Sequence, residues 1–263
     1  MPNVNPRLTL LKTHNVNPRH TVITCSDCRL NKFCLPIALN ESKIKQLDEI
    51  VEHNSSYKKG DHLYKKNDNF KSVYAVHSGS FKSYTLSYNG NEQVNGFFLP
   101  GEIIGLDGIA NGMHVNAIQA LEHASVCEIP FSQLESLSRQ IPDLQHHFFA
   151  IMGKEITKDQ EIHNLLSSCT AEERAVHFLL NLSSRCERMA LSPFRLLLPM
   201  TRGDIGGFLG LSLETISRIF GNLQRRGLIA VKNREIELLR MEPLREIARC
   251  NQISAKFHMI LDS

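Results

Sequence analysis

The spacing of hydrophobic residues changes along the chain, and each change predicts a different kind of structure. Residues 40–54 carry apolar side chains at helical intervals, and Asn40 precedes them as an N-cap. Between Tyr57 and Pro130 the helical pattern gives way to short alternating runs that are separated by glycines. Strands at about ten-residue spacing with glycine turns are typical of a sandwich or a jelly-roll-like barrel. We therefore predict a β-roll in this part of the chain.

Helical spacing returns in residues 132–168, which predicts a helical segment after the β-roll. Pro142 suits the first turn of a helix, because a proline at that position removes no helical hydrogen bond. Thr170 and Glu173 have the spacing of a capping box. Another helix is therefore expected to begin there, with a boundary near Cys169.

The last part of the chain combines helical segments with a short hairpin. Residues 201–204 give a further helix start signal, and two helical segments follow on either side of residues 210–212. Two strand-like runs joined by residues 232–234 complete a winged helix-turn-helix pattern. The predicted fold class is α+β, with four parts in chain order: a flexible arm (1–24), a β-roll domain that includes a cysteine-rich segment (25–139), a long dimerisation helix (140–169) and a winged helix-turn-helix domain (170–263).

The second helix of the winged module has one face with the chemistry of base recognition. Glu214, Ser217 and Arg218 are spaced i, i+3 and i+4, so they share a side of its first turns. Arginine can bind guanine through two hydrogen bonds, glutamate can accept one from cytosine, and serine suits either partner. The alternative is a salt bridge between Glu214 and Arg218 on a solvent-exposed face. The capped helix before these residues and the basic hairpin after them favour base recognition over the salt bridge.

Two further sets of residues complete this picture of the winged module. The other face of the second helix is apolar and is expected to face a core: Ile216, Ile219 and Leu223. Basic residues farther along are expected to contact phosphates: Arg225, Arg226, Lys232 and Arg234.

The long helix carries a coiled-coil repeat along one side. Six positions alternate by three and four residues: Phe149, Met152, Ile156, Asp159, His163 and Leu166. We interpret this seam as the interface of a homodimer, which would present two recognition helices to a palindromic double-stranded operator. The alternative is a helix packed only within its own chain, through Phe148, Ile151 and Ile162. Asp159 is unusual on the seam, because two facing carboxylates cost stability.

Composition narrows the class of protein without deciding its partner. The 263 residues suit one large domain or two modest ones, and 42% hydrophobic with 22% charged residues is ordinary for a globular protein. A net charge of +3 neither requires nor excludes DNA. No apolar run has the length of a membrane helix, and residues 1–20 lack the apolar core of a secretory signal. We therefore expect a cytoplasmic protein with no membrane partner.

The chain has seven cysteines, and their clustering predicts metal or redox chemistry rather than disulfides. Cys25, Cys28 and Cys34 lie close together, and Cys127 is the best candidate for a fourth ligand because it belongs to the same predicted domain. The remaining cysteines lie at the boundary or beyond it: Cys169, Cys186 and Cys250. Four thiolates suit either a structural zinc ion or an iron–sulfur cluster. The spacing matches neither zinc ribbons nor bacterial ferredoxins, so both remain open.

From about Cys25 to about Leu239 the chain resembles the oxygen-responsive FNR group of the CRP/FNR family of transcription regulators. The similarity rests on the three clustered cysteines with Cys127 in VCEIP, and on the stretches EITKDQ, TAEER and MTRGDIGGFLGLSLETISR. The resemblance implies a 4Fe–4S cluster that assembles without oxygen, permits dimerisation and is destroyed by oxygen. Its ligands would be four thiolates: Cys25, Cys28, Cys34 and Cys127.

The same resemblance implies a set of partners. Glu214, Ser217 and Arg218 would contact TTGAT-type half-sites, and Thr201 and Arg202 would belong to the same DNA-binding surface. Exposed loops of the β-roll, such as the one at residues 90–91, would contact RNA polymerase. The implied function is control of genes for anaerobic or low-oxygen metabolism.

Three positions depart from the family pattern. Arg29 follows the second cysteine where a small polar residue is familiar, and His163 occupies a seam position that is often apolar. Asn91 follows the Gly90 turn where an acidic residue is usual, which weakens the expectation of a polymerase contact.

Two other functions were weighed against an oxygen-responsive regulator. A cyclic-nucleotide receptor of the same family needs an arginine for the phosphate, but residues 114–117 read HVNA, so Glu102 and its glycines are interpreted as a β-turn. A metal enzyme with a cupin-like barrel would use histidines of the β-roll. Those histidines do not have the spacing of a metal triad, so we predict no enzyme: His62, His77, His114 and His123.

Overall fold

The computed structural model describes residues 24–249, and they form the predicted α+β fold. A β-roll comes first, a long helix follows, and a winged helix-turn-helix lies at the C-terminal end. The predicted arm, apart from Thr24, and Cys250 lie outside the described residues. Within residues 24–249, no helix combines the length and the apolar character that crossing a membrane requires.

The β-roll consists of two antiparallel sheets. Its strands within the described residues are β1 (Glu52–Tyr57), β2 (His62–Tyr64), β3 (Ser72–Ser78), β4 (Phe81–Leu86), β5 (Glu92–Phe98), β6 (Ile103–Ile104), β7 (Ala117–Ala120) and β8 (Ala124–Pro130). One sheet has the order β1-β8-β3-β6, and the other has the order β2-β7-β4-β5. Alternate side chains of both sheets face inward, and Phe81, Ile104 and Ile118 among them are fully buried.

The first helix is shorter than its hydrophobic pattern predicts. α1 spans Glu41–Asp48, and the side chain of Asn40 caps it by accepting a hydrogen bond from the Lys43 N–H. From Glu52 onward the chain is a strand that pairs with β8. The prediction of a helix over residues 40–54 is therefore wrong at its C-terminal end, because pairing with a neighbouring strand outweighs local helical periodicity.

Three helices lead from the β-roll into the C-terminal module. α2 spans Phe131–Gln140 and α3 spans Pro142–Ser168, with its proline in the first turn as predicted. α4 spans Ala171–Arg188 and begins at a complete capping box between Thr170 and Glu173. Both predicted start signals are confirmed, because proline and a capping box act within a single turn of helix.

The C-terminal module is a winged helix-turn-helix. Its elements after α4 are β9 (Arg195–Leu197), α5 (Arg202–Leu209), α6 (Leu213–Arg225), β10 (Ile229–Lys232), β11 (Glu235–Leu238) and α7 (Met241–Ile247). Gly210 adopts the left-handed conformation that ends α5, with φ of 63°, and Ser212 caps α6. The sequence did not predict β9, which pairs with β11, because three residues are too few to show alternation.

The β-roll and the C-terminal module share a hydrophobic core. Val94 and Phe97 of β5 pack with buried residues of α4, α5 and α6. The ring of Phe97 lies 5.9 Å from that of Phe178 and 5.3 Å from that of Phe208, measured between centroids. The recognition module is therefore held against the β-roll by apolar burial as well as by chain connectivity.

Candidate functional site

Four cysteines that are far apart in sequence line one pocket of the β-roll. Cys25, Cys28 and Cys34 belong to the loop before α1, and Cys127 lies on β8, where it is the register partner of Ala75. The cavity between them has a volume of about 30 Å³ and is partly open to solvent. The other walls are mostly apolar and include Leu30, Leu35, Leu47, Val51, Val76 and Ile129. The fold thus brings together the four predicted ligands in a largely apolar setting.

Burial affects the pKa of two of these thiols, Cys25 and Cys34. Burial raises the pKa of Cys25 far above its ordinary value, and Asp48 raises it further by a hydrogen bond and by its charge. Burial also raises the pKa of Cys34 to about 12, although the Leu35 amide lowers it somewhat. Both thiols therefore keep their protons at neutral pH. A metal that bound them as thiolates would displace those protons.

Two backbone amides form hydrogen bonds at the pocket, and no pattern in the sequence indicates either bond. The Cys25 N–H donates to Asp48 Oδ1 at 2.8 Å, which fixes the start of the ligand loop against α1. The Leu30 N–H donates to Cys28 Sγ at 3.4 Å. An amide aimed at sulfur stabilises a thiolate, and such bonds tune iron–sulfur centres.

The ligand chemistry of four thiols limits which metal group the pocket could hold. Among the described residues, no three histidine, cysteine, aspartate or glutamate side chains are close enough to hold one metal ion. A structural zinc ion needs all four sulfurs at about 2.3 Å from a single centre, whereas an iron–sulfur cluster spreads its thiolates over several iron atoms. Four thiols that line one pocket are a donor set that either a structural zinc ion or an iron–sulfur cluster can use.

Of the remaining cysteines, Cys169 and Cys186 lie away from this pocket. Cys186 is a free, half-buried thiol on α4 and packs against the core that the C-terminal module shares with the β-roll. Cys169 follows α3 and packs against that same core. Cys250 is outside the described residues. That none of the three is a cluster ligand stays a prediction.

The cysteine pocket is in direct contact with the long helix. The 3-10 turn Leu35–Ala38 follows Cys34 immediately and packs on α3. Leu35 shares a core with Leu144 and Phe148 of that helix. His147, also on α3, forms a hydrogen bond with the backbone of Cys34. A change in the position of Cys34 is therefore transmitted to α3 without an intervening element.

One side of α3 remains exposed within the described chain. Phe149 is 57% exposed and Ile156 is 60% exposed, and Asp159, His163 and Leu166 are exposed as well. Met152 is the exception among the predicted seam residues, because it packs partly against the core under the cysteine segment. The neighbouring stripe provides the packing within the chain: Phe148, Ile151 and Ile162. The exposed stripe is therefore separate from the stripe that packs within the chain.

The predicted recognition helix has the expected orientation. Glu214, Ser217 and Arg218 are exposed on α6, while the opposite face is buried through Ile216, Ile219 and Leu223. The pKa of Glu214 is lowered, because its carboxylate accepts hydrogen bonds from its own amide and from Ser212. The local bonds of Glu214 leave the Arg218 guanidinium exposed to solvent.

The basic residues around α6 fall into two groups. Arg225, Lys232 and Arg234 are exposed at the end of α6 and around the β10–β11 turn, where Asn233 has φ of 58°. Arg226 instead forms an ion pair with Glu172 on α4. The exposed group is suited to phosphate contacts.

Thr201 and Arg202 are tied to the packing of α5. The Thr201 hydroxyl accepts from the Asp204 N–H at 3.1 Å and donates to its carboxylate at 2.6 Å. The Arg202 guanidinium lies 4.3 Å from the centroid of the Phe220 ring, and burial lowers its pKa. Arg202 is thus half-buried against an aromatic ring, and its expected contact with DNA stays a prediction.

The histidines considered for a metal enzyme have structural partners in the β-roll. His62 Nε2 lies 2.8 Å from the Tyr84 hydroxyl, and His114 Nδ1 lies 3.1 Å from Asp107. His77 Nδ1 lies 3.2 Å from the hydroxyl of a serine on β8. Each of these three histidines is thus bonded separately.

Comparison with known proteins agrees with this architecture. Residues 54–140 match the family described as "Cyclic nucleotide-binding domain", and residues 173–247 match "Crp-like helix-turn-helix domain". The fumarate and nitrate reduction regulatory protein of Escherichia coli (strain K12) is 44% identical over 226 residues, which cover 86% of this chain and 90% of that protein. The protein of the same name from Salmonella typhimurium has the same identity and coverage.

A solved structure also matches the architecture of this chain. FixK2 from Bradyrhizobium japonicum superposes with a TM-score of 0.70 at 30% identity, covering 75% of this chain and 98% of that one. The relatives are transcription regulators, and the match extends through the β-roll, the long helix and the winged module. The chain therefore belongs to the CRP/FNR family of DNA-binding transcription regulators and, as the sequence predicts, is not an enzyme.

Proposed function

We propose that this regulator senses oxygen through a 4Fe–4S cluster held by four thiolates: Cys25, Cys28, Cys34 and Cys127. The observation that carries the proposal is the single pocket lined by all four thiols, directly against the long helix. When bound, such a cluster supplies oxygen-sensitive redox chemistry. The apolar walls limit the access of water to the sulfurs, and the Leu30 amide would stabilise a Cys28 thiolate.

The contacts of the ligand loop support a coupling between the pocket and dimerisation. Ligation fixes Cys34, and with it the turn Leu35–Ala38 and the His147 contact on α3. The exposed apolar side of α3 supports a homodimer through that helix. A coupling free energy of about 1–3 kcal/mol between pocket and interface is enough for a useful switch.

The DNA-binding part of the proposal rests on the exposed face of α6. Two copies of Glu214, Ser217 and Arg218 in a two-fold dimer would contact the half-sites of a palindromic TTGAT-type operator about one DNA turn apart. The genes controlled would belong to anaerobic or low-oxygen metabolism, and the regulator would act in the cytoplasm with RNA polymerase. The turn between β4 and β5, where Tyr88 is exposed, is available for a polymerase contact.

Anaerobic purification tests the central claim. We expect visible absorbance, about four iron and four sulfide per chain, and DNA binding that is lost on exposure to air. Zinc in place of iron, or iron without acid-labile sulfide, would contradict the cluster. DNA binding unaffected by oxygen would contradict the sensing role.

Substitution of the recognition helix tests the base contacts. Arg218→Ala is expected to relax base preference at one half-site position and to weaken binding by about 1–3 kcal/mol, because a bidentate arginine contact distinguishes bases. Lys232→Ala, on the exposed wing, is the matched control and is expected to weaken all sequences about equally with a shallower salt dependence. Binding titrations against operators with single base changes, at several salt concentrations, measure both. Equal weakening of every sequence by Arg218→Ala would show that this residue contacts phosphate only.

A further inference from the structure

A buried ion pair joins the β-roll to the DNA-binding module. Arg185 on α4 donates from Nε to Glu102 Oε1 at 2.9 Å and from Nη2 to Glu102 Oε2 at 2.5 Å. Arg185 Nη2 also donates to the Phe97 carbonyl at 2.8 Å, and the Leu99 N–H donates to Glu102 Oε2 at 3.0 Å. The Arg185 side chain is only 9% exposed. This two-point geometry fixes orientation as well as distance between the two parts.

The long helix α3 also lies close to the ion pair of Arg185 and Glu102. Lys158 of α3 lies with its ammonium 5.2 Å from the centroid of the Phe98 ring. Burial raises the pKa of Glu102, but Arg185 and Lys158 outweigh that effect and hold the pKa below its ordinary value. Glu102 is thus an ionised carboxylate at the junction of the β-roll, the dimerisation helix and the DNA-binding module.

Two more contacts connect the β-roll to the first helix of the helix-turn-helix. Lys82 of β4 is buried and donates to Asp204 Oδ1 at 3.0 Å, and Asp204 caps α5. Gln93 of β5 donates from Nε2 to the Gly207 carbonyl at 2.7 Å. Since α5 packs directly on α6, these contacts limit rotation of the recognition helix relative to the β-roll.

We propose that Arg185 and Glu102 form an interdomain clamp that sets the orientation of the recognition helix, and thereby the half-site spacing the dimer accepts. Arg185 and Glu102 are positioning residues, because they act through α4 and α5 rather than by touching DNA. The inference rests on the proposed dimeric, palindrome-binding function. In this clamp the Glu102 carboxylate is paired with the Arg185 guanidinium. The β-turn of residues 99–102 therefore has a role that its sequence did not indicate.

Spacing discrimination tests the clamp. Anaerobic holoprotein is titrated with a palindromic duplex and with duplexes carrying one base pair more or fewer between the half-sites, each of which rotates one half-site by about 35°. Wild type is expected to prefer one spacing. Arg185→Gln and Glu102→Gln are each expected to reduce that preference between about threefold and a hundredfold, and the double variant to do no more than the worse single one, because the two residues act as a unit.

Arg188→Gln is the matched control, because it removes the same charge from an exposed position one turn along α4. A lost phosphate contact or a smaller folded fraction weakens all spacings equally, so only a positioning role changes the ratio. Gln93→Ala, at an exposed side chain, is a second test that does not disturb the core and is expected to reduce the preference as well.

The outcomes separate the clamp from the function on which it rests. A wild-type preference that Arg185→Gln and Gln93→Ala both retain would overturn the clamp alone. Tighter DNA binding by Arg185→Gln with an unchanged preference for half-site spacing would also overturn the clamp. That result would mean that the contact between Arg185 and Glu102 inhibits DNA binding. A wild-type protein with no preference among spacings would overturn the proposed palindromic dimer as well.

Discussion

Cys127→Ser is expected to abolish the visible absorbance and the bound iron of anaerobically prepared protein. Cys127 lies on β8 and faces the three cysteines of the ligand loop across one pocket. A serine hydroxyl is a far poorer ligand for iron than a thiolate, and loss of one of four ligands opens the site to water. DNA binding in the absence of oxygen is expected to fall with the cluster.

Cys186→Ser is the matched control for this experiment. Cys186 is a free thiol on α4, away from the cysteine pocket, so its replacement is expected to leave iron and sulfide content unchanged. Circular dichroism of both variants verifies that the β-roll is folded. Full absorbance in Cys127→Ser would remove the fourth ligand from the proposal, and loss of absorbance in Cys186→Ser would mean that ligands had been assigned wrongly.

Asp159→Ala is expected to keep the protein dimeric and bound to DNA in air. Asp159 is exposed on the same side of α3 as Phe149 and Ile156, so its twin in a parallel pair of helices would approach it. Two unit charges 4 Å apart repel by about 1 kcal/mol in water and by about 4 kcal/mol at an effective dielectric constant of about 20. Removing them therefore strengthens dimerisation by about fivefold to several hundredfold.

Sedimentation of the cluster-free protein across a range of concentrations measures this effect. The control is Asp143→Ala, which removes a carboxylate from the first turn of α3, where Asp143 pairs with Lys43 instead of lying on the seam. We expect wild type and Asp143→Ala to be mainly monomeric and Asp159→Ala to be dimeric. Equal monomer fractions for Asp159→Ala and wild type would contradict both the repulsion between the two Asp159 side chains and the assignment of the seam.

Features that depend on a few neighbouring residues could be predicted from the sequence. The capping box of Thr170 and Glu173, the proline at the start of α3 and the glycine that ends α5 each act within one turn. The exposed trio on α6 followed from helical periodicity. Four cysteines could be grouped by domain, although their number alone left zinc and an iron–sulfur cluster equally open.

What only the tertiary structure decided depends on residues that are distant in sequence. Pairing with β8 shortened the predicted first helix, and the Arg202 guanidinium stacks on the Phe220 ring. Arg185 and Glu102 meet across 83 positions of sequence. Such contacts leave no periodic signal, because their partners are chosen by the packing of whole elements rather than by neighbours along the chain. The sequence by itself therefore determined the type and order of the elements, and the fold decided how the sensor, the long helix and the DNA-binding module are joined.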